Sequence, residues 1–419
     1  MQTRANQKLD FSICAISTPV LLFLWPRKGT THMITRTITP FVRKLAGFYP
    51  VVTILGPRQS GKTTLAKALF PSHEYRSLEA EDILLAARDD PRGFLANGTK
   101  PLVIDEVQRF PSLLTYIQEM ADARGEKGQF ILTGSQQPDL AAAIGESLAG
   151  RTGICELLPL SLDELASAGP AAATADRDTL LWRGFMPRLW ADASPIDPPT
   201  FYRDYFQTYV QRDVRRLVNI QDLDTFGVFV RLLAGRAGQL LNRDSLARDA
   251  GISIPTAVKW LNALEASFLV FRLRPWHGNI GSRQIKSPKI YFTETGLAAW
   301  LVGIRDATQI AAHPLVGQLF ENLVVAEARK SRLNRGLDPD MWFYRNAKAT
   351  VEVDLLLEAD GKLHPREIKA ASTYTGNFRK GLKKFAEAVP ASAPPKIIYS
   401  GRTLGDLAIN FRETTAWCP

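Results

Sequence analysis

Gly56-Pro57-Arg58-Gln59-Ser60-Gly61-Lys62-Thr63 matches G-x-x-x-x-G-K-[ST], the phosphate-binding loop pattern. Ahead of it, Val51 to Leu55 is a short apolar run that reads as a buried strand; behind it, Thr64 to Phe70 is helical in character. Strand, glycine-bearing turn and helix form the context in which this pattern acquires chemistry. A nucleoside triphosphate is a dense polyanion. Gly56 and Gly61 let the backbone turn sharply and aim its N–H groups inward, and the helix adds the positive end of its dipole. Pro57, Arg58, Gln59, Ser60 and Thr64 complete the nucleotide-binding stretch. Lys62 brings a mobile charge to the β- and γ-phosphates and is a catalytic candidate. The Thr63 hydroxyl is suited to ligate Mg²⁺.

A second motif agrees with the first. Leu102-Val103-Ile104-Asp105-Glu106 places two carboxylates after three apolar residues. Such a run suits a strand buried on both faces of a parallel sheet. Asp105 at its carboxyl end is then the second Mg²⁺ candidate, and Glu106 is the candidate for polarising the attacking water. A third strand, Gln129 to Thr133, runs into Gly134-Ser135-Gln136-Gln137. Ser135 is the candidate for sensing the γ-phosphate by hydrogen bonding. The bound species expected from this set are ATP and Mg²⁺.

The chain has 419 residues, too many for one ordinary domain. Hydrophobic residues make up 45% and charged residues 22%, as in globular proteins. The net charge is +10, a lean toward polyanionic partners. From Val228 to Ile290, ten Lys or Arg stand against three acids, so most of the excess lies in one segment. Cys14, Cys155 and Cys418 are odd in number and far apart, which fits a reducing, cytoplasmic setting without a disulfide framework.

Residues 1–32 differ from the rest. Phe11 to Trp25 is apolar but contains Pro19, and it is short for a membrane span. It ends in Pro26-Arg27-Lys28 without a signal-peptide cleavage pattern. The expectation is a non-folding extension, with Met33 as the natural beginning and no membrane partner. From Ile34 onward, strands alternate with helices as in a doubly wound α/β sheet. Ser112 is placed to cap a helix from Leu113 to Arg124, and Cys155 to Leu158 reads as the last strand. Phe201 to Leu217 reads as an aromatic, basic helix. Its Arg212, Arg215 and Arg216 could reach a neighbouring subunit's phosphates in a homo-oligomer. Asn242 to Leu264 reads as helix-turn-helix around Gly251-Ile252-Ser253. Phe268 to Leu273 and Lys289 to Phe292 read as two wing strands joined through Trp276, Gly278 and Gly281. With its positive balance, 228–290 is the candidate DNA reader.

The C-terminal part carries another constellation. Leu315 to Lys330 is an amphipathic helix bearing Glu321. Met341 to Tyr344 and Val351 to Glu358 read as strands, and the second turns at Asp360-Gly361 and returns from Leu363 to Lys369. Glu367 and Lys369, two apart on a strand, share a face, and Asp354 lies on the partner strand. Two carboxylates and a lysine on one face can bind Mg²⁺ and orient a water. Glu321 would complete the cluster. Without metal the acids repel, so Asp354→Asn is expected to raise the melting temperature.

Gly56–Thr63, Leu102–Glu106 and Leu132–Ser135 resemble bacterial and archaeal ATPases of the AAA superclass. In that family a winged helix and a C-terminal domain of restriction-endonuclease-like fold follow the ATPase domain. Asp354 and Glu367-Ile368-Lys369 match the PD-(D/E)XK pattern, and Glu321 fits its helical acid. The resemblance implies ATP binding and hydrolysis. It implies an α/β chain: an AAA-type parallel-sheet domain with linker helices over 33–220, a winged helix-turn-helix over 221–305, and an α/β nuclease-like domain over 306–419. The leading reading is an Mg²⁺-dependent ATPase that couples nucleotide state to DNA. The runner-up is a nucleotide-controlled protein-interaction switch whose nuclease-like domain is inert.

Overall fold

The computed structural model describes residues 34–96, 100–135, 138–191, 196–210, 222–277, 287–346, 348 and 350–419. The extension at 1–32, Gln136 and Gln137, the arginines at 212, 215 and 216, and the stretch expected to join the two wing strands, with Gly278, Gly281, Arg283 and Lys286, lie outside the described residues.

The N-terminal sheet has five strands: β1 Val51–Leu55, β2 Glu74–Ser77, β3 Leu102–Asp105, β4 Phe130–Gly134 and β5 Thr152–Glu156. They lie in the order β2-β3-β4-β1-β5, all parallel. β1, β3 and β4 are buried along their whole length, which explains their unbroken apolar sequences. Side-chain alternation gives each strand two apolar faces. Val52, Ile54, Val103 and Ile131 pack with Val42 and Leu65 from the helices Thr39–Phe48 and Lys62–Leu69. Val51, Leu55, Ile104 and Leu132 face Leu84, Leu113, Ile117 and Leu140 on the other side. The expected three-layer arrangement is therefore present.

Two local expectations are corrected. Ser112 makes no side-chain cap on the helix Leu113–Arg124. Its own backbone is already helical (φ −65°, ψ −13°), whereas a capping side chain needs an extended backbone to reach forward. The last strand begins at Thr152 rather than Cys155, because Thr152 and Gly153 pair with Val51 and Val52.

The remaining chain builds a seven-stranded sheet from β6 Val270–Pro275, β7 Lys289–Phe292, β8 Met341–Arg345, β9 Glu352–Ala359, β10 Lys362–Lys369, β11 Lys396–Tyr399 and β12 Ala408–Asn410. Its order is β12-β11-β10-β9-β8-β6-β7. The helices Arg243–Asp249 and Ile254–Ala266 precede it, capped by Asn242 and Ser253 and joined across Gly251 at φ +68°. β6 and β7 form an antiparallel pair, and β6 also pairs in parallel with β8. The hairpin behind the two helices is thus continuous with the C-terminal sheet, across residue 305. The helix Val316–Asn334 packs against β5, β7 and β10, so it touches both sheets. The aromatic helix is Pro198–Tyr205, followed by a π-helical turn at Phe206–Val210.

Candidate nucleotide site

The loop after β1 is held open by backbone conformations that side chains resist. Gly56 has φ +156°, and a Cβ there would stand 2.2 Å from the Leu157 carbonyl oxygen. Gly61, at φ +95°, opens the helix Lys62–Leu69. Lys62 is buried, and its Nζ donates to the carbonyls of Gly56 at 3.0 Å and Pro57 at 2.8 Å. Burial pulls its pKa down to about 8, against the opposing pull of Glu106 and Asp105. The Ser60 hydroxyl is buried in this loop and has no hydrogen-bond partner among the described residues. Arg58 lies 5.8 Å from the Tyr209 ring centroid, and Gln59 and Thr64 are exposed.

Asp105 ends β3 beside the loop. Its carboxylate accepts from Thr63 Oγ1 (3.1 and 2.9 Å), from the Tyr75 hydroxyl at 2.8 Å and from Thr133 Oγ1. Burial and the Asp105 hydrogen bond push the Tyr75 phenol up to about 12, so it stays a donor. Tyr75 and Thr133 come from β2 and β4, the two neighbours of β3. No motif marks them; only strand order brings them to Asp105.

Glu106 adopts φ +57°, a left-handed conformation that is costly for a side-chain-bearing residue. Its carboxylate accepts from Gln108 Nε2, and Gln108 Oε1 accepts from the Ser135 backbone N–H at 3.2 Å. Gln108 therefore joins the candidate base to the candidate sensor, a link absent from the sequence reading. The Ser135 hydroxyl is buried and has no hydrogen-bond partner among the described residues. The cradle, the carboxylate beside a threonine hydroxyl, and the two unpartnered serine hydroxyls fit a polyphosphate with a divalent cation.

The C-terminal candidates also converge. Lys369 Nζ lies 2.6 Å from Glu367 Oε1 and 3.6 Å from Asp354 Oδ2, which also accepts from the Ile368 N–H at 2.8 Å. Glu321 Oε1 accepts from Tyr291 OH at 2.6 Å and from Lys289 Nζ at 3.0 Å. The same ammonium reaches Glu352 at 2.8 Å and Asp354 at 3.9 Å. Lys289, with its side chain 4% exposed, was expected among the DNA-facing cations. It is instead an internal cation. Burial alone would lower its pKa, yet Glu321, Asp354 and Glu352 outweigh burial and raise it. Arg236 and Arg272 in the same basic segment pair with Asp249 and Glu265. Arg243, Arg248, Lys259 and Arg274 are exposed. Among the described residues, no group of three His, Cys, Asp or Glu side chains is arranged to hold a metal ion.

Known proteins agree with the ATPase part. Residues 49–166 match the AAA domain family. Residues 174–308 and 316–412 match two domains of unknown function, DUF8612 and DUF4143. Uncharacterized proteins of Mycobacterium tuberculosis (Rv2008c) and Mycobacterium bovis (Mb2031c) are each 34% identical over 326 residues, covering 77% of this chain and 71% of theirs. The chain belongs to their family. It thus carries an AAA-type P-loop domain, in which the loop at 56–63, Asp105, Glu106 and Ser135 all fall. Lys289 falls in the segment that matches DUF8612, and the acids it meets fall in the DUF4143 segment. Among solved structures, the Walker-type ATPase PABY2304 of Pyrococcus abyssi aligns at a TM-score of 0.42 and 15% identity, over 66% of this chain and 98% of that one. AMPPCP-bound DnaA from Aquifex aeolicus aligns at 0.28 and 15%, over 54% of this chain and 85% of that one.

Proposed function

We propose that the chain is an Mg²⁺-dependent ATPase whose nucleotide state is coupled to engagement of DNA. The observation that carries the enzymatic part is the Asp105 carboxylate, fixed by Thr63, Tyr75 and Thr133 at the mouth of the phosphate loop. The loop N–H groups and Lys62 bind and orient the phosphates. Thr63 and Asp105 would hold Mg²⁺, which supplies charge neutralisation on the phosphate oxygens. Glu106 takes up proton density from the attacking water, and Gln108 holds it in place. Glu106→Gln is expected to bind ATP normally and to hydrolyse it roughly 100- to 10,000-fold more slowly. Normal turnover by that variant, measured as phosphate release, would remove Glu106 from the role.

The DNA part rests on the two helices at 243–266 and the hairpin behind them, read as a winged helix over 221–305. Arg248 and Lys259 are exposed on these helices. Charge reversal at both is expected to weaken DNA binding and flatten its salt dependence, with ATP affinity unchanged. Unaltered binding would turn this module toward a protein partner. The ATPase unit is assigned to 33–220, with ATP drawn from the cytoplasm and assembly as a homo-oligomer. No helix among the described residues is long and apolar enough to cross a membrane.

A second reading is favoured by Lys289. An ammonium among Glu321, Glu352 and Asp354 supports a nuclease-like domain, 306–419, that is catalytically inert and serves a nucleotide-controlled protein-interaction switch. ATPase rates measured with and without DNA separate the two readings, since only the first expects stimulation.

A further inference from the structure

Arg36 precedes the first helix and belongs to no motif. Its guanidinium lies beneath the phosphate loop, where the residue is 8% exposed. Nη1 donates to the Ser60 carbonyl at 2.6 Å and Nη2 to the Leu158 carbonyl at 2.7 Å. Nε stands 3.1 Å from Glu164 Oε1 in a buried ion pair. Glu164 is fixed in turn. It accepts from the Thr37 N–H at 2.7 Å and the Ser161 N–H at 2.9 Å, within a capping box on the helix Leu162–Ser167. That helix is tied to the long helix Val316–Asn334. The Leu162 N–H donates to Glu327 at 2.8 Å, and Lys330 donates to the Leu160 carbonyl at 2.8 Å.

The bond to Ser60 has a direct consequence for phosphate binding. In a trans peptide the C=O and the following N–H point in opposite directions. Anchoring the Ser60 oxygen outward therefore turns the Gly61 N–H inward. If the peptide rotated, the loop would offer a carbonyl dipole to an anion. Gly61, with φ +95°, has the backbone freedom that makes this rotation available. A planar fork with several donors is what the position requires. Lysine gathers its three donors on one atom and lacks the fixed spread of the fork, so it matches two separated carbonyls and a carboxylate less well.

We infer that Arg36, oriented by Glu164, is a positioning residue for the phosphate loop: it holds the Ser60–Gly61 peptide in its anion-binding orientation and ties that peptide to the helix packed on Val316–Asn334. This rests on the nucleotide-binding reading above. Arg36 and Glu164 bond to Ser60, Leu158, Thr37 and Ser161, whereas Glu106 bonds to Gln108, so the pair acts on binding and leaves the water-activating group alone.

The test is titration of the full chain with Mg²⁺ and the nonhydrolysable β,γ-methylene analogue of ATP, beside steady-state ATPase kinetics. The variants are Arg36→Gln, Arg36→Lys and Glu164→Gln. Arg36→Gln is expected to weaken binding roughly 10- to 100-fold, the scale of one charge-assisted hydrogen bond to a buried carbonyl. KM should rise with it, and kcat at saturating ATP should change little. Arg36→Lys should fall between wild type and Arg36→Gln, and Glu164→Gln should show a smaller loss in the same direction. A residue that merely supported the fold would lower the nucleotide-free melting temperature without this split. If Arg36→Gln does not fold, the lysine and Glu164 variants decide. Wild-type affinity in the folded variants would overturn the inference. Absence of binding by the wild-type chain would overturn the ATPase reading itself.

Discussion

Lys62→Ala is expected to weaken Mg²⁺-ATP binding by at least about 100-fold, because it removes the loop's ammonium from a dense polyanion. That cation is engaged with the Gly56 and Pro57 carbonyls. Its pKa of about 8 reflects burial with too little compensating charge. The sign of the pH dependence follows. The folded pKa lies below the ordinary 10.5, so the folded chain binds fewer protons between about pH 8 and 10.5, and Lys62 makes stability rise with pH across that window. Phosphates give the ammonium anionic partners and raise its pKa. The complex then holds the proton that the free chain loses, so affinity declines as pH rises above about 8. Calorimetric titration from pH 7 to 9.5 should show this decline in wild type and a flatter profile in Lys62→Ala. Tight binding by the alanine variant would remove the phosphate loop from its assigned role.

The phosphate loop and the Asp105 strand were legible because both are local. An apolar run, a glycine pattern and a carboxylate pair keep their meaning wherever the rest of the chain goes. Gln108, Tyr75, Thr133 and Arg36 were not legible, because strand order and helix packing bring them to the site. Tyr75 reaches Asp105 only because β2 lies beside β3. The continuity of the second sheet was hidden for the same reason. β6 finds β8 across a long stretch of chain, through the pairing of Arg274 with Trp342 and Pro275 with Phe343. Nothing local announces that register. Counting charges over 228–290 placed Lys289 on a basic surface, whereas its strand turns the ammonium inward. Net charge along a segment does not reveal which face each side chain takes.

Lys289→Met is expected to destabilise the chain by about 3–5 kcal/mol, the scale of breaking a buried ion pair from one side. The ammonium is nearly inaccessible, and three carboxylates face it. Without it, Glu321 keeps the Tyr291 hydroxyl as its one hydrogen-bond donor among the described residues, and burial already holds the Glu321 carboxyl above its ordinary range. Asp354 would keep Lys369 and the Ile368 N–H. The ammonium also reverses what the acids alone suggest for Asp354→Asn. Mutual repulsion would make that substitution stabilising. Two ammonium groups beside Asp354 make its charge favourable, so the melting temperature should fall. A cycle of Lys289→Met, Glu321→Gln and the double variant should give a coupling of about 0.5–3 kcal/mol. Additive effects would show that the ion pair does not hold β7 to the helix Val316–Asn334. The same proteins decide whether the cluster takes metal. If Mn²⁺ raises the wild-type melting temperature and Asp354→Asn removes the rise, a divalent cation competes with Lys289 and nuclease chemistry is open to the domain. If Mn²⁺ leaves wild type unmoved and no DNA nicking depends on Asp354, Lys289 is the cluster's resident cation. The carboxylates then bind one part of the chain to another instead of binding substrate.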